Sequence, residues 1–342
     1  MPAPPTHLRT RRLVAAAFAR LALLASTLAA FPATAQTTPT PDTYPNHAVT
    51  FIVPFSAGGG TDVAGRLIAA KLQQKWGQTV VVDNRAGSAG IVGVDAVAKA
   101  RPDGYTLLVA NVGTQSINPT LYNKKLPYDA DTAFAPISLV AELPFALLVS
   151  SAFPARTTKE LVALAKAQPS RYTFASSGSG GSPHLTAEIF QAAAGVQLVH
   201  VPYRGGGPAM ADLMGGHVDL LFASVLESSG HVKSGKLRAL AVSSSARSPA
   251  LPDVPTLPES GVTGAESGSW VGLLAPAGTP QAVIDKVAAD VKEALAVPDT
   301  RQALVAQGAT PRATTPEQFR ALIEADRRRY GRVIQTQNIR AD

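Results

Sequence analysis

The sequence predicts an α/β fold, two α/β lobes with a ligand cleft between them. Three observations predict it. Val/Ile/Leu-rich runs short enough to be strands alternate with helix-like segments, which implies a parallel sheet covered on both faces. A βαβαβ pattern occurs twice, over about residues 50–111 and again over 172–224. In both copies Gly/Ser-rich loops follow the strands, where open α/β sheets bind their ligands.

In chain order, "TFIVPF" (50–55) reads as a strand. A helix follows from Asp62 to about Trp76, with Ala64, Leu67, Ile68 and Leu72 on one face. "TVVVDNR" (79–85), a helix over about 91–100 and "TLLVAN" (106–111) complete the first unit. In the second, "YTFASSG" (172–178) leads through "SGGSPHL" into a helix. "VQLVHVPY" (196–203) leads through "RGGGP" into "AMADLMGG", and "VDLLFAS" (218–224) closes the unit. Two extended segments, 135–150 and 236–245, run between the units and are placed to act as hinges. The tail is helical: Thr279-Pro280 reads as a cap before a first-position proline, and Thr315 to Gln318 as a capping box. Returning after the second segment, it should pack on the first lobe. The expected lobes are therefore 44–140 with 246–342, and 141–245.

The first 35 residues read as a secretory leader, cleaved after about Ala35. "HLRTRR" is basic, "LALLASTLAAF" is apolar but too short to span a bilayer, and "ATA" offers small residues for cleavage. The residues after the paired arginines at 11–12 fit a twin-arginine export signal poorly. Residues 36–43 form a polar linker, and the remaining chain is expected to be a soluble periplasmic protein. The leader's four arginines leave 27 of 31 basic residues against 24 acidic, or +3, with no basic run and few aromatics. That excludes a nucleic-acid signature. With no cysteine there is neither disulfide nor thiolate metal site, which suits an oxidising compartment. The histidines show no ligand spacing, so no metal and no cofactor are expected.

"PFSAGGGTDVAGRLIAAKL" (54–72) is a strand, glycine turn and helix, a combination that holds anions on free N–H groups. It is not a phosphate loop, because no Gly-Lys-Ser/Thr follows Gly60. A dinucleotide reading has Asp83 at the right distance for a ribose. It lacks the third glycine, however, where Val63 stands, and Asp62 would oppose a pyrophosphate. In "SSGSGGSPH" the hydroxyls of Ser176, Ser177, Ser179 and Ser182 read as donors at a helix start. Gly-x-Ser-x-Gly is absent, no base is assigned to a serine, and His184 reads as fixing the loop rather than as a base. Tyr203 offers an amphipathic wall, and Arg204 a counter-charge or a solvated side chain.

These segments together resemble one family. "YPNHAVTFIVPFSAGGGTDVAGRLIA", "VVDNRAGSAGIVG", "ARPDGYTLLVA", "INPTLYNKKLPYD", "VHVPYRGGGPAMADLMGGHVDLLF", "SWVGLLAPAGTP" and "YGRVIQTQNIRAD" are similar to the Bug (TctC-like) receptors of tripartite tricarboxylate transporters. The likeness runs from about Tyr44 to Asp342. It implies a type II periplasmic binding fold, monomeric, that closes on a small carboxylate and serves membrane permease subunits or a sensor. It also implies a ligand held by backbone amides and waters. The implied donors lie in the loop of Phe55, Ser56, Ala57, Gly58, Gly59, Gly60, Thr61 and Asp62. The second loop is Ser176, Ser177, Gly178, Ser179, Gly180, Ser182 and His184. Tyr203, Gly205, Pro208 and Ala209 add contacts, and Thr114 and Ser224 complete the candidate set. Two departures stand out. Ala223 stands where the family often has Asp, which puts amino-acid ligands in doubt if that position touches a ligand amine or hydroxyl, and Gln115 or Ser116 stands where a His is frequent. The ligand is thus a di- or tricarboxylate, an amino acid or an aromatic acid. The rival from another class is a secreted α/β enzyme, a nicotinamide oxidoreductase or a serine hydrolase.

Overall fold

Val49–Val53 form strand β1, whose apolar side chains are almost entirely buried. The computed structural model describes residues 44–122, 125–336 and 339–340; the leader and linker expected at 1–35 and 36–43 lie outside the described residues. Helix α1 (Gly60–Trp76) begins two residues before the expected Asp62 and ends where Gly77 turns left-handed at φ 64°. Its Ala64, Ile68 and Leu72 face the sheet as their spacing predicts. β2 (Val80–Asn84), α2 (Ile91–Ala98) and β3 (Thr106–Asn111) follow. β1 lies between β2 and β3, parallel to both. The short α3 (Asn118–Leu121) succeeds a π-turn at Gly113–Ile117.

β4 (Phe134–Ser150) is a single strand that serves two partner sets. The second unit then runs α4 (Thr158–Ala167), β5 (Thr173–Ser176), α5 (Ser182–Ala194), β6 (Val199–Pro202), α6 (Gly206–Gly215), β7 (Leu220–Ser224), α7 (Val225–Lys233) and β8 (Leu237–Val242). β5 is parallel to β6 and β7. β9 (Gly268–Pro276) precedes α8 (Gln281–Ala296), α9 (Pro298–Ala306), β10 (Thr310–Pro311) and α10 (Pro316–Thr336).

The sheet order is β2-β1-β3-β9-β4-β7-β5-β6, with β8 and β10 each also on β4. The expectation of a parallel sheet holds only within each βαβαβ unit. β9 is antiparallel to β3 and to β4, and β4 is antiparallel to β7 and β8. Sequence reading overlooked β9, because "GSWVGLLAP" carries no alternation and two glycines. It also overlooked α4, although Thr157 caps it by accepting from the Glu160 N–H at 3.2 Å.

β4 changes partner at one point. Its pairing with β9 ends at Pro144 opposite Gly268, and its pairing with β7 starts at Phe145 opposite Ser224. Proline has no N–H to extend a ladder, so the switch falls where the chain cannot donate. Ser243, fully buried, closes this junction. Its hydroxyl accepts from the Phe145 N–H at 3.2 Å and donates to the Ser267 carbonyl at 2.7 Å. Its own N–H donates to the Phe145 carbonyl at 2.8 Å. The expected return segment 236–245 therefore divides: β8 pairs with Ala146–Ser150, and Ser243 carries the crossing.

The tail helices pack on the first unit. The Trp76 indole N–H donates to Asp290 of α8 at 2.6 Å, and Arg327 of α10 donates to the Gln115 carbonyl at 3.1 Å. The capping box at Thr315 forms, with reciprocal bonds to Gln318 at 3.0 and 3.2 Å. The cap at Thr279 does not: α8 starts at Gln281, and the Thr279 hydroxyl donates backward to the Pro276 carbonyl at 2.8 Å. No helix among the described residues is long and apolar enough to cross a membrane, and no described group of acids and histidines is placed to hold a metal.

Two glycines test this packing in opposite directions. A Cβ at Gly272 of β9 would sit 2.2 Å from the buried Phe319 ring and 2.9 Å from the Ser138 carbonyl. Gly272→Ala should destabilise by about 1–3 kcal/mol through overpacking. Gly230 is exposed in α7 with nothing within 4 Å of such a Cβ. Gly230→Ala should therefore stabilise by about 0.5–1 kcal/mol. Urea denaturation of both variants reads these signs, and a neutral Gly272→Ala would show that β9 and α10 are not close-packed.

Candidate functional site

The glycine turn before α1 is braced from its own side. Gly58 has φ +86°, a conformation that favours glycine, and its N–H donates to Asp62 at 3.0 Å. Asp62 is buried and also accepts from Arg66 at 3.0 Å and Asn84 at 2.9 Å. Burial alone would raise its pKa, but these bonds outweigh it and hold the carboxyl below the usual range. The Asp62 carboxylate thus supports the turn and is engaged within it. Gly59, by contrast, is extended at φ −79°, so its need for glycine comes from close approach.

What approaches is the turn before α6. A Cβ at Gly59 would lie 3.3 Å from the Gly206 nitrogen, and one at Gly207 would lie 2.2 Å from the Ala57 carbonyl. Ser56 donates through its N–H, at 3.3 Å, and its hydroxyl, at 3.2 Å, to the Arg204 carbonyl. The Arg204 side chain itself is exposed and is not among the residues that line the cavity between the turns. Tyr203 turns the other way, its hydroxyl donating to Asp212 at 2.6 Å; burial and that carboxylate push its pKa up to about 12. Gly205 lies against Ser56, while Pro208 and Ala209 belong to α6, with Ala209 in the core.

The Ser/Gly loop supplies the third wall. Gly178 and Gly180 have φ +122° and +86°. The Gly180 N–H donates to His184 Nδ1 at 3.0 Å, and the His184 ring stacks on His200 at 4.0 Å. His184 therefore fixes the loop. The Ser176 hydroxyl lies 2.6 Å from His200 Nε2, a serine–histidine contact that sequence reading did not find. Ser176 is fully buried, and neither it nor His200 is among the residues that line the cavity between the turns. The Ser179 carbonyl accepts from the Tyr122 hydroxyl at 2.6 Å.

Where the three loops meet is a small cavity, partly open to solvent. Of the candidate residues it gathers Phe55, Gly59, Gly60, Thr61, Ser177, Ser182 and Ser224. Thr114 lies one step behind, buried, its N–H donating to Asn111 Oδ1 at 3.0 Å. Asn111 in turn reaches the cavity wall and donates to Thr61 at 2.9 Å. Gln115 and Ser116 are buried outside the lining.

Asn111, Leu143, Phe145, Pro183, Gly206, Ser269 and Glu227 were missed. Asn111 was findable as the polar end of an apolar strand. Glu227 was findable too, since "SVLE" is a capping box: Glu227 Oε1 accepts from the Ser224 N–H at 2.8 Å. Ala223 belongs to the core cluster behind β7 and lies outside the cavity lining, so the inference drawn from its missing carboxylate does not apply.

Glu227 is partly exposed along its stem; its Oε2 is buried and makes no well-formed hydrogen bond, although the Gly60 N–H faces the carboxyl group. Burial pushes its pKa up to about 7, against the opposing Ser224 and Gly60 donors. In the unfolded chain this carboxyl titrates near 4.5, so between the two values the folded protein holds a proton that the unfolded chain has lost. Its contribution favours folding at low pH and is lost as pH rises through about 7. Glu227→Gln removes that slope. Relative to wild type it should gain up to about 3 kcal/mol between pH 4.5 and pH 8 in urea denaturation. An equal pH profile in both proteins would show that the carboxyl is not perturbed.

Comparison with known proteins agrees with this architecture. Residues 64–339 match the model of the tripartite tricarboxylate transporter family receptor. The chain is 38% identical to Protein BugT of Bordetella pertussis, over 86% of this chain and 90% of that one. It resembles the solved structure of an R. palustris protein with adipate, at 34% identity and TM-score 0.85, covering 87% of this chain and all of that one. It also resembles MatC from Rhodopseudomonas palustris with bound malate, at 33% identity and TM-score 0.81, covering 85% of this chain and all of that one. The fold is that of the type II periplasmic binding proteins, with two α/β lobes about a cleft. On the match across most of its length, the chain belongs to the tripartite tricarboxylate transporter receptor family and is a solute-binding receptor.

Proposed function

We propose that this receptor captures a small carboxylate in the cavity between its glycine turns and delivers it, in the periplasm, to the membrane permease subunits of a tripartite carrier. The observation that carries this reading is the start of α1, where Gly59, Gly60 and Thr61 line a cavity otherwise walled by serine hydroxyls. A helix start offers free N–H groups and a positive dipole end, which favour an anion. Ser177, Ser182, Ser224 and Ser269 add neutral donors of a kind that can fit a carboxylate. Relatives solved with adipate and malate support the same class. In this reading the lobes are 44–140 with 246–342, and 141–245, and the receptor acts as a monomer that rotates about the β4 and Ser243 junction.

The binding role needs no chemistry. A dehydrogenase would set a pyrophosphate at the start of α1, where Asp62 and Glu227 already place two carboxyl groups. Asp83, the candidate ribose partner, is engaged by Arg85 at 2.8 Å. A serine hydrolase would need its serine–histidine pair in the cavity, and Ser176 with His200 lies behind it.

A thermal-shift panel tests the reading. At a hundredfold excess over Kd a ligand stabilises by about 2.7 kcal/mol, or a melting shift of roughly 5–10 °C. At least one mono-, di- or tricarboxylate, aromatic acid or amino acid should give it, and ATP, NAD and NADP should not. A shift with NAD or NADP alone would overturn the proposal. The companion variant is Gly60→Ala, whose Cβ would sit 2.3 Å from the Ser224 hydroxyl. It should lower affinity for the hit at least about tenfold with an unchanged circular-dichroism spectrum. Full affinity in that variant would remove the α1 turn from the site.

A further inference from the structure

The cavity has an uneven charge inventory. Among the described residues that line it, Glu227 is the sole ionisable side chain. The remaining polar walls are neutral hydroxyls, the Asn111 amide and backbone. No lysine or arginine lines it, and Asp62, the nearest other acid on α1, is turned to Gly58, Arg66 and Asn84.

Glu227 is also held in place with one oxygen unused. Oε1 is fixed by the Ser224 N–H at 2.8 Å, as half of the capping box that starts α7. The other oxygen, Oε2, is buried and makes no well-formed hydrogen bond, with the Gly60 N–H the one backbone donor besides Ser224 that faces the carboxyl group. It points to the seam between the turns, 2.7 Å from where a Gly206 Cβ would sit and 3.5 Å from where a Gly59 Cβ would sit. A buried acceptor without a donor is costly, and a ligand that supplies the donor removes that cost. A second negative charge in the same small space adds to the cost, with no side-chain cation to offset it.

We propose that Glu227 is a specificity-determining residue, and that the carboxylate this receptor takes also carries an ammonium or other protonated nitrogen that reaches Glu227 Oε2. The inference rests on the carboxylate-receptor reading above. The ligand's carboxylate takes the serine hydroxyls and those N–H groups of the α1 start that Asp62 and Glu227 leave free. Its nitrogen donates to Oε2, and dicarboxylates, with two negative ends, are disfavoured. At pH 8, above the value near 7 that burial gives it, Glu227 is ionised in the ligand-free protein and the selection is strongest.

The experiment uses the leaderless receptor at pH 8 and short aliphatic carboxylates of matched length in three forms. The second position bears an ammonium, a methyl or another carboxylate; α-amino acids, adipate and malate are included. Affinities come from calorimetry on wild type and Glu227→Gln, which keeps an acceptor for the Ser224 N–H. Wild type should bind an ammonium-bearing form at least about tenfold tighter than its methyl and dicarboxylate counterparts. Glu227→Gln should lose about tenfold for that form and gain for the dicarboxylate. If a dicarboxylate binds wild type as tightly as the ammonium form, and the substitution leaves the order unchanged, the selection is overturned while the receptor reading stands. If no carboxylate of any form binds either protein, with both folded by circular dichroism, the receptor reading falls and the selection with it. Wild-type ranking alone decides the proposal should the variant misfold.

Discussion

The contact of two glycine turns, Gly58 to Gly60 at the start of α1 and Gly205 to Gly207 at the start of α6, is the constraint on which the proposed site depends. A Cβ at Gly207 would lie 2.2 Å from the Ala57 carbonyl of the opposite turn, and Cβ atoms at Gly60 and Gly206 would lie 2.3 and 2.7 Å from the Ser224 and Glu227 side chains of α7 and its cap. That approach carries the start of α1 across to the Ser/Gly loop and to Ser224. It also encloses the seam in which Glu227 is desolvated. Were these turns held apart by methyl groups, the helix start would face water, where the attraction of its N–H groups for an anion is weak.

The rest of the fold serves to bring those turns together. β4 is shared by both βαβαβ units, and its switch of partner at Pro144 puts Phe145 and Leu143 into the cavity wall. Ser243 ties the return chain to the same point through three hydrogen bonds. A junction with so few bonds at one place is where rotation between the units meets least resistance, since each unit has its own apolar cluster. A third cluster runs through both units and keeps the sheet continuous.

In the proposed site, neutral donors and one buried acid divide the recognition between them. Hydroxyls and backbone N–H groups accept any carboxylate that fits, so they set class and size. Glu227 acts on charge, because burial raises the cost of its ionised form and leaves Oε2 without a well-formed hydrogen bond. Recognition by a buried charge is the sharper of the two, since leaving it unpaired is costly in a way that losing one hydroxyl contact is not.

The sequence alone determined the alternation of strands and helices, the glycine turn before α1, the donor-rich loop Ser176 to Ser182, and the family. These are local signals: apolar period, glycine at turns, hydroxyls at a helix start. Seven of the candidate site residues line the cavity, and all seven lie in loops, at strand ends or in the first turn of a helix. Other candidates, Asp62, Thr114, His184 and Ser176, brace the loops instead, because a polar residue near a site reads the same in sequence whether it faces the ligand or its neighbour. Only the tertiary structure decided that β9 is the antiparallel strand between β3 and β4, since its run of glycine and apolar residues has no period of its own. Only the structure showed Asn111, Ser269 and Glu227 converging from segments far apart in the chain. What a carboxyl group such as Glu227 does depends on the water removed from around it, and that desolvation exists only once distant segments have closed over it.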